Sequence, residues 1–173
     1  MIQATPSLPQ RAPLTVPAKI PSPPATPSAA PAAPVTPAKQ YLILYIEDDV
    51  ANYYLLQRIL QSRKELKLVS ALQGSLGLEL ARSHKPDLIL LDLNLPDMSG
   101  EQLLAKLKAD PSTAQIPIVA VTGEAAHDRP AELRALGAVD TLVKPYRVQQ
   151  MTRLLDEVLG ITPPASPTGP HAR

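Results

Sequence analysis

Before Tyr41 no run of apolar residues is long enough to nucleate a core; beyond it they come in blocks whose spacing changes repeatedly. Leu42-Ile43-Leu44-Tyr45-Ile46 is a continuous apolar run ending in acids, the pattern of a strand buried on both faces. Residues 51–63 then place Leu55, Leu56, Ile59 and Leu60 on one stripe at helical spacing. The alternation continues to the end of the patterned region. Strands are predicted at 66–72, at 88–91 closed by Asp92, at 116–121 and at 139–143. Helices are predicted at 74–84, 99–109, 124–136 and 148–159, with Gly137 and Gly160 as the stops of the last two.

Five strand–helix units with wholly apolar strands imply an α/β fold, a doubly wound parallel sheet with helices on both faces. Right-handed crossovers leave few strand orders, and 2-1-3-4-5 is the usual one for five units. That order opens a crevice where strands 1 and 3 diverge, and ligands of such sheets bind beyond the carboxyl ends of the strands.

Composition divides the chain of 173 residues into a predicted domain at 40–160 and two tails, 1–39 and 161–173. Eleven of the 21 prolines fall within 6–37, mixed with Ala, Ser and Thr, so the first tail is expected to be an extended, disordered tether. The second tail has the same composition and the same expectation. With no Phe or Trp, the core must be built from Leu, Ile, Val and Ala. All sixteen acidic residues lie between Glu47 and Glu157 against thirteen basic ones, an acidic balance that argues against nucleic acid as a partner. The absence of cysteine excludes disulfides, thiolate metal sites and cysteine nucleophiles. Prolines interrupt any candidate signal peptide, and no stretch approaches the roughly 18 apolar residues of a membrane span. A cytoplasmic protein without membrane association is expected.

The crevice gathers the candidate chemistry. Strand 1 ends in Glu47-Asp48-Asp49 and strand 3 in Asp92, so carboxylates from adjoining strands converge there. Such a cluster repels itself, and a hard cation such as Mg²⁺, held by one or two carboxylates plus a phosphate, relieves it. Asp48 or Asp49 could equally cap the following helix. Strands 4 and 5 end in Thr122 and Lys144, which bring a hydroxyl and an ammonium to the same rim. A carboxylate nucleophile, a cation and two groups that neutralise equatorial oxygens are the requirements of phosphoryl transfer to an acid.

Ile46-Glu47-Asp48-Asp49, the run from Leu90 through Asp92-Leu93-Asn94-Leu95-Pro96-Asp97-Met98-Ser99 to Gly100, Val121-Thr122 and Lys144-Pro145 together resemble the receiver domain of bacterial response regulators, a flavodoxin-like fold. The resemblance spans all of the patterned region, at intervals that need no insertion. It implies that Asp92 is the phosphoacceptor, that Asp48 and Asp92 ligate Mg²⁺ and that Glu47 acts through a bound water. The backbone carbonyl of Asn94 would be a further ligand. Thr122 and Lys144 would contact the phosphoryl group, with backbone N–H groups near Leu93 and Gly123 completing the cradle. The Lys144-Pro145 bond would be cis. The donor would be the phosphohistidine of a histidine kinase or histidine phosphotransfer protein. Asn94 and Glu124 would flank the site and tune dephosphorylation, with turnover expected in seconds to minutes.

Three positions depart from the family pattern: Glu47 for the commoner Asp, Gly123 for Ala, and Thr141 where the family carries an aromatic ring that moves inward on activation. Either backbone and helix-4 shifts alone convey the switch, or Tyr146 substitutes. No output domain is expected beyond Leu159, so the module would signal through contacts to a downstream protein or a second copy at the helix 4–strand 5–helix 5 face, pass its phosphoryl group onward, or serve as a phosphate sink. The alternative is a pseudo-receiver adaptor that is not phosphorylated. A haloacid-dehalogenase-type phosphatase would carry its nucleophile on the first strand with a second Asp two residues later, where Asn94 follows Asp92 instead. The chain is thus expected not to be an enzyme beyond its own phosphorylation and dephosphorylation. A flavodoxin would need a Ser/Thr/Gly-rich loop where Glu47-Asp48-Asp49 stands.

Overall fold

A computed structural model describes residues 39–123 and 129–161. Among these residues five strands alternate with five helices: β1 (Tyr41–Ile46), α1 (Val50–Leu60), β2 (Leu66–Ala71), α2 (Gly74–His84), β3 (Leu88–Asp92), α3 (Gly100–Ala109), β4 (Ile118–Thr122), α4 (Pro130–Ala135), β5 (Asp140–Val143) and α5 (Val148–Leu159). The strands form one sheet in the order β2-β1-β3-β4-β5, and every pairing is parallel, in keeping with the apolar runs of the inner strands β1, β3 and β4.

Although β1, β3 and β4 read as almost continuously apolar, their residues divide between two cores with period 2. Leu44, Ile46, Ile89 and Leu91 face a layer that includes Ala81 of α2, Leu103, Leu104 and Leu107 of α3, and Leu133 of α4. Ile43, Tyr45, Leu88, Leu90, Val119 and Val121 face Leu56 and Leu60 of α1 and Met151, Leu154 and Leu155 of α5. β3 and β4 are buried along their whole length, and β3, third of the five in the sheet, is the axis of the fold. At about 0.8 kcal/mol per buried methylene, aliphatic packing on both faces is the main stabilising term.

Element ends follow local chemistry. Asp49 caps α1, its Oδ1 accepting from the Ala51 N–H at 2.8 Å. Ser99 and Gln102 form a reciprocal capping box at the start of α3. α2 borrows its cap: Asp97, in the loop after β3, accepts from the N–H groups of Gly74 (2.7 Å) and Ser75 (2.8 Å). Those bonds hold the Asp97 carboxyl down to about 2.

Three elements differ from the sequence expectation by two residues or more, and the others by no more than one at either end. β4 begins at Ile118 rather than 116, because Pro117 has no N–H to give; its carbonyl still accepts from Ile89 at 3.0 Å. α1 ends at Leu60, and Arg63 turns back to pair with Glu65 and, at 2.6 Å, with Asp156 of α5. α4 spans only Pro130–Ala135, and the earlier part of the expected helix lies outside the described residues. Among the described residues no helix is long and apolar enough to cross a membrane.

Candidate functional site

The topology delivers β1, β3, β4 and β5 side by side, so their carboxyl ends share one edge of the sheet. Glu47 follows the last residue of β1 and extends its ladder, the Glu47 N–H donating to the Ala71 carbonyl at 2.9 Å. Asp92 and Thr122 are the final residues of β3 and β4. Lys144 follows β5, and its N–H donates to the Thr122 carbonyl at 2.6 Å. Glu47, Asp92 and Thr122 are buried, Lys144 is half-buried, and Asp48 is exposed at the mouth.

Lys144 joins the two buried acids. Its Nζ donates to Glu47 Oε2 at 2.6 Å and to Asp92 Oδ2 at 3.0 Å. Glu47 is held further by the Tyr45 hydroxyl, which donates to Oε2 at 2.6 Å, and by Asn52 Nδ2, which donates to Oε1 at 3.1 Å. Asp92 has a lighter harness: besides Lys144, the Asn94 N–H donates to its Oδ1 at 3.3 Å. The Thr122 hydroxyl donates to the Gly123 carbonyl at 3.1 Å.

This asymmetry sets the electrostatics. Burial would raise the Glu47 pKa, but bonds from Lys144, Tyr45 and Asn52 outweigh it and hold the carboxyl below its ordinary value. Burial raises Asp92, and the Glu47 charge adds to that against the opposing bond from Lys144, leaving Asp92 above its ordinary value. Burial alone would lower Lys144, yet its two carboxylate partners raise it, so the ammonium persists. Burial, with the bond to Glu47 adding to it, pushes Tyr45 far up, so its hydroxyl remains a donor.

Oxygens of Glu47, Asp48 and Asp92 lie within 4.8 Å of one another. An all-oxygen set of that size, with one carboxylate open to solvent, could hold a hard divalent cation. The choice between the two helix-capping candidates falls to Asp49, leaving Asp48 to the cluster. The loop after Asp92 is pinned by a bridge between Asn94 and Ser99 and by Gly100, where an added Cβ would come within 2.5 Å of the Asp92 carbonyl and the Leu93 Cα. Asn94 is exposed; with Leu93, Thr122, Gly123 and Arg129 it lines a depression of about 220 Å³.

Sequence-predicted residues thus largely assemble. Glu47, Asp48, Asp92 and Lys144 meet; Thr122 stands on the adjoining strand end; the Lys144-Pro145 bond is cis. Glu124 lies outside the described residues. Thr141 is half-buried on β5 opposite Ala120 and lines a groove with Arg147, which precedes α5, and with Gln150 and Leu154 of α5. Tyr146 packs against the Tyr45 side of the core with its hydroxyl buried near that of Tyr45. Sequence reasoning passed over Tyr45 and Asn52. The signal for Tyr45 was a lone hydroxyl-bearing ring in an aliphatic run, two residues before an acid and hence on the same strand face.

Comparison with known proteins agrees with this geometry. The response regulator receiver domain family matches residues 43–156. The chain is 30% identical over 118 residues to the polar-differentiation response regulator DivK of Brucella anthropi, covering 68% of this chain and 95% of that protein. Among solved structures, the signal receiver domain of a DNA-binding response regulator (merR) from Colwellia psychrerythraea 34H is 28% identical, with a TM-score of 0.65 over 70% of this chain and 99% of that one. The receiver domain of the sensor histidine kinase PA1611 from Pseudomonas aeruginosa PAO1, solved with a magnesium ion coordinated in its active-site cleft, is 25% identical, with a TM-score of 0.63 over 70% and 98%. With the parallel 2-1-3-4-5 sheet and the acidic cluster at its switch point, these matches place the chain in the response regulator receiver domain family of two-component signalling.

Proposed function

We propose that the chain is a phosphoacceptor, taking a phosphoryl group onto Asp92 from a phosphohistidine in a Mg²⁺-dependent reaction. The observation that carries this reading is the unequal sharing of Lys144. Glu47 is clamped as an anion by three donors, while Asp92 keeps a raised pKa and one oxygen that, among the described residues, is held by a single long backbone bond. A carboxylate so placed is the more basic and the freer to attack.

Asp48, Asp92 and the Asn94 carbonyl would hold Mg²⁺, with Glu47 acting through a bound water. The cation supplies charge neutralisation between the carboxylates and the phosphoryl oxygens. Asp92 forms a bond to phosphorus as the phosphorus–nitrogen bond of the phosphohistidine breaks, and the imidazole leaves with the electron pair and takes up a proton. Lys144 shifts its Asp92 contact to a phosphoryl oxygen. The Thr122 hydroxyl, now turned to the Gly123 carbonyl, donates to another. A histidine kinase or a histidine phosphotransfer protein would present such a phosphohistidine. The α4–β5–α5 face is the surface a downstream protein or a second copy would read, since replacing the single carboxylate charge of Asp92 by the about −1.5 to −2 of a phosphoryl group, with its three acceptor oxygens, biases a preexisting equilibrium.

Incubation with acetyl phosphate and Mg²⁺ should add one phosphoryl group by mass spectrometry. Asp92→Asn and metal chelation should each abolish it, and persistent labelling of the Asn variant would overturn the assignment. A generic phosphate ester should not be turned over. Labelled protein should decay in seconds to minutes with Mg²⁺ present; a lifetime of hours would count against a role for Asn94 and Glu124 in admitting water.

A further inference from the structure

The Tyr45 ring is fully inaccessible on the α1–α5 side of the sheet, among Ile43, Leu88 and Leu90. A buried hydroxyl is costly unless it is bonded. Here the bond goes to one oxygen of Glu47, the same Oε2 that Lys144 contacts, while Asn52 takes Oε1. Glu47 is therefore held by two neutral donors from β1 and α1 as well as by the ammonium. We infer that Tyr45 is a positioning residue for the metal site, fixing the Glu47 carboxylate independently of Lys144. This rests on the Mg²⁺-dependent reading above.

The physical need is specific to glutamate. Its extra methylene adds a rotatable bond, and a carboxylate that must orient a metal-bound water loses affinity if it has to be ordered on binding. Lys144 cannot do the ordering throughout, because it also serves Asp92 and whatever is attached there. Tyr45 and Asn52 carry no charge to be drawn away, so they keep Glu47 in place while Lys144 moves.

The test is a cycle of Tyr45→Phe and Glu47→Asp in the full chain, with Mg²⁺ affinity read by titration calorimetry. Tyr45→Phe keeps the ring and its packing and removes one oxygen. In the native background it should weaken Mg²⁺ binding by about three- to tenfold. With the shorter Asp at 47, out of the hydroxyl's reach, the same change should cost less than about twofold. Labelling by acetyl phosphate should slow in Tyr45→Phe at subsaturating Mg²⁺ and recover at saturation. Equal affinity of Tyr45→Phe and the native protein, or an equal loss in both backgrounds, would overturn the role of Tyr45 alone. Failure of the native protein to bind Mg²⁺ would overturn the underlying reading with it.

Discussion

Lys144 sits between two acids that it cannot serve equally, and the consequence is measurable without any metal. Asp92 has its pKa raised in the fold, first by burial and then by Glu47. Its contribution to stability is therefore present below its unfolded value and is lost as pH rises through the folded one. Glu47 has the opposite sign: its lowered pKa contributes stability above the unfolded value, lost as pH falls through the folded one. In chelator, Asp92→Asn should remove the first effect and keep the second. Urea unfolding between about pH 4 and pH 8 should show the variant gaining on the native protein as pH rises through the carboxylate range. A constant difference across that range would contradict the assignment of strain to Asp92. The acids themselves were legible in the sequence, because each closes an apolar run. Their inequality was not, because it depends on Tyr45 and Asn52, whose bonds are fixed only once α1 is laid over β1.

Elements were readable where a single period dominates, and less so where tertiary contacts decide. β1, β3 and α5 lie within a residue of expectation because their patterns are long and unambiguous. The cap of α2 was invisible because Asp97 stands more than twenty residues away in sequence. Glycine placement gives a sharper test. An added Cβ at Gly77 would meet the Ile46 side chain, its nearest atom at 2.5 Å, whereas at Gly100 it would meet backbone of Asp92 and Leu93. A side chain can change rotamer, and helix propensity returns up to about 1 kcal/mol on replacing Gly. Backbone cannot yield so cheaply. Gly100→Ala should therefore cost about 2 kcal/mol and slow labelling of Asp92, while Gly77→Ala should cost less and leave labelling intact. Chemical denaturation and the acetyl phosphate assay, run on both, would separate the effects.

For the molecule as a whole, strand order was legible because a five-unit parallel sheet has few permitted arrangements, and all four predicted neighbours pair. Long-range fastenings were not. Arg63, expected inside α1, instead ties the α1–β2 turn to Asp156 of α5 across one face, with both side chains mostly covered. Neighbouring Glu65 is a second partner. Arg63→Ala should destabilise by about 1–2 kcal/mol, more than a surface pair provides, because Asp156 would be left partly buried and unpaired. A double-mutant cycle with Asp156→Asn should return a coupling of at least about 0.5 kcal/mol; simple additivity would show the pair to be idle.

One backbone bond in this site has a mechanical consequence. The Lys144 N–H to Thr122 carbonyl contact makes the ammonium-bearing and hydroxyl-bearing residues rungs of a single ladder. β5, an edge strand, is only four residues long and, among the described residues, is paired along one side alone. A pull on either rung is thus resisted by the interior of the sheet and relieved at its margin, where the chain has least to break.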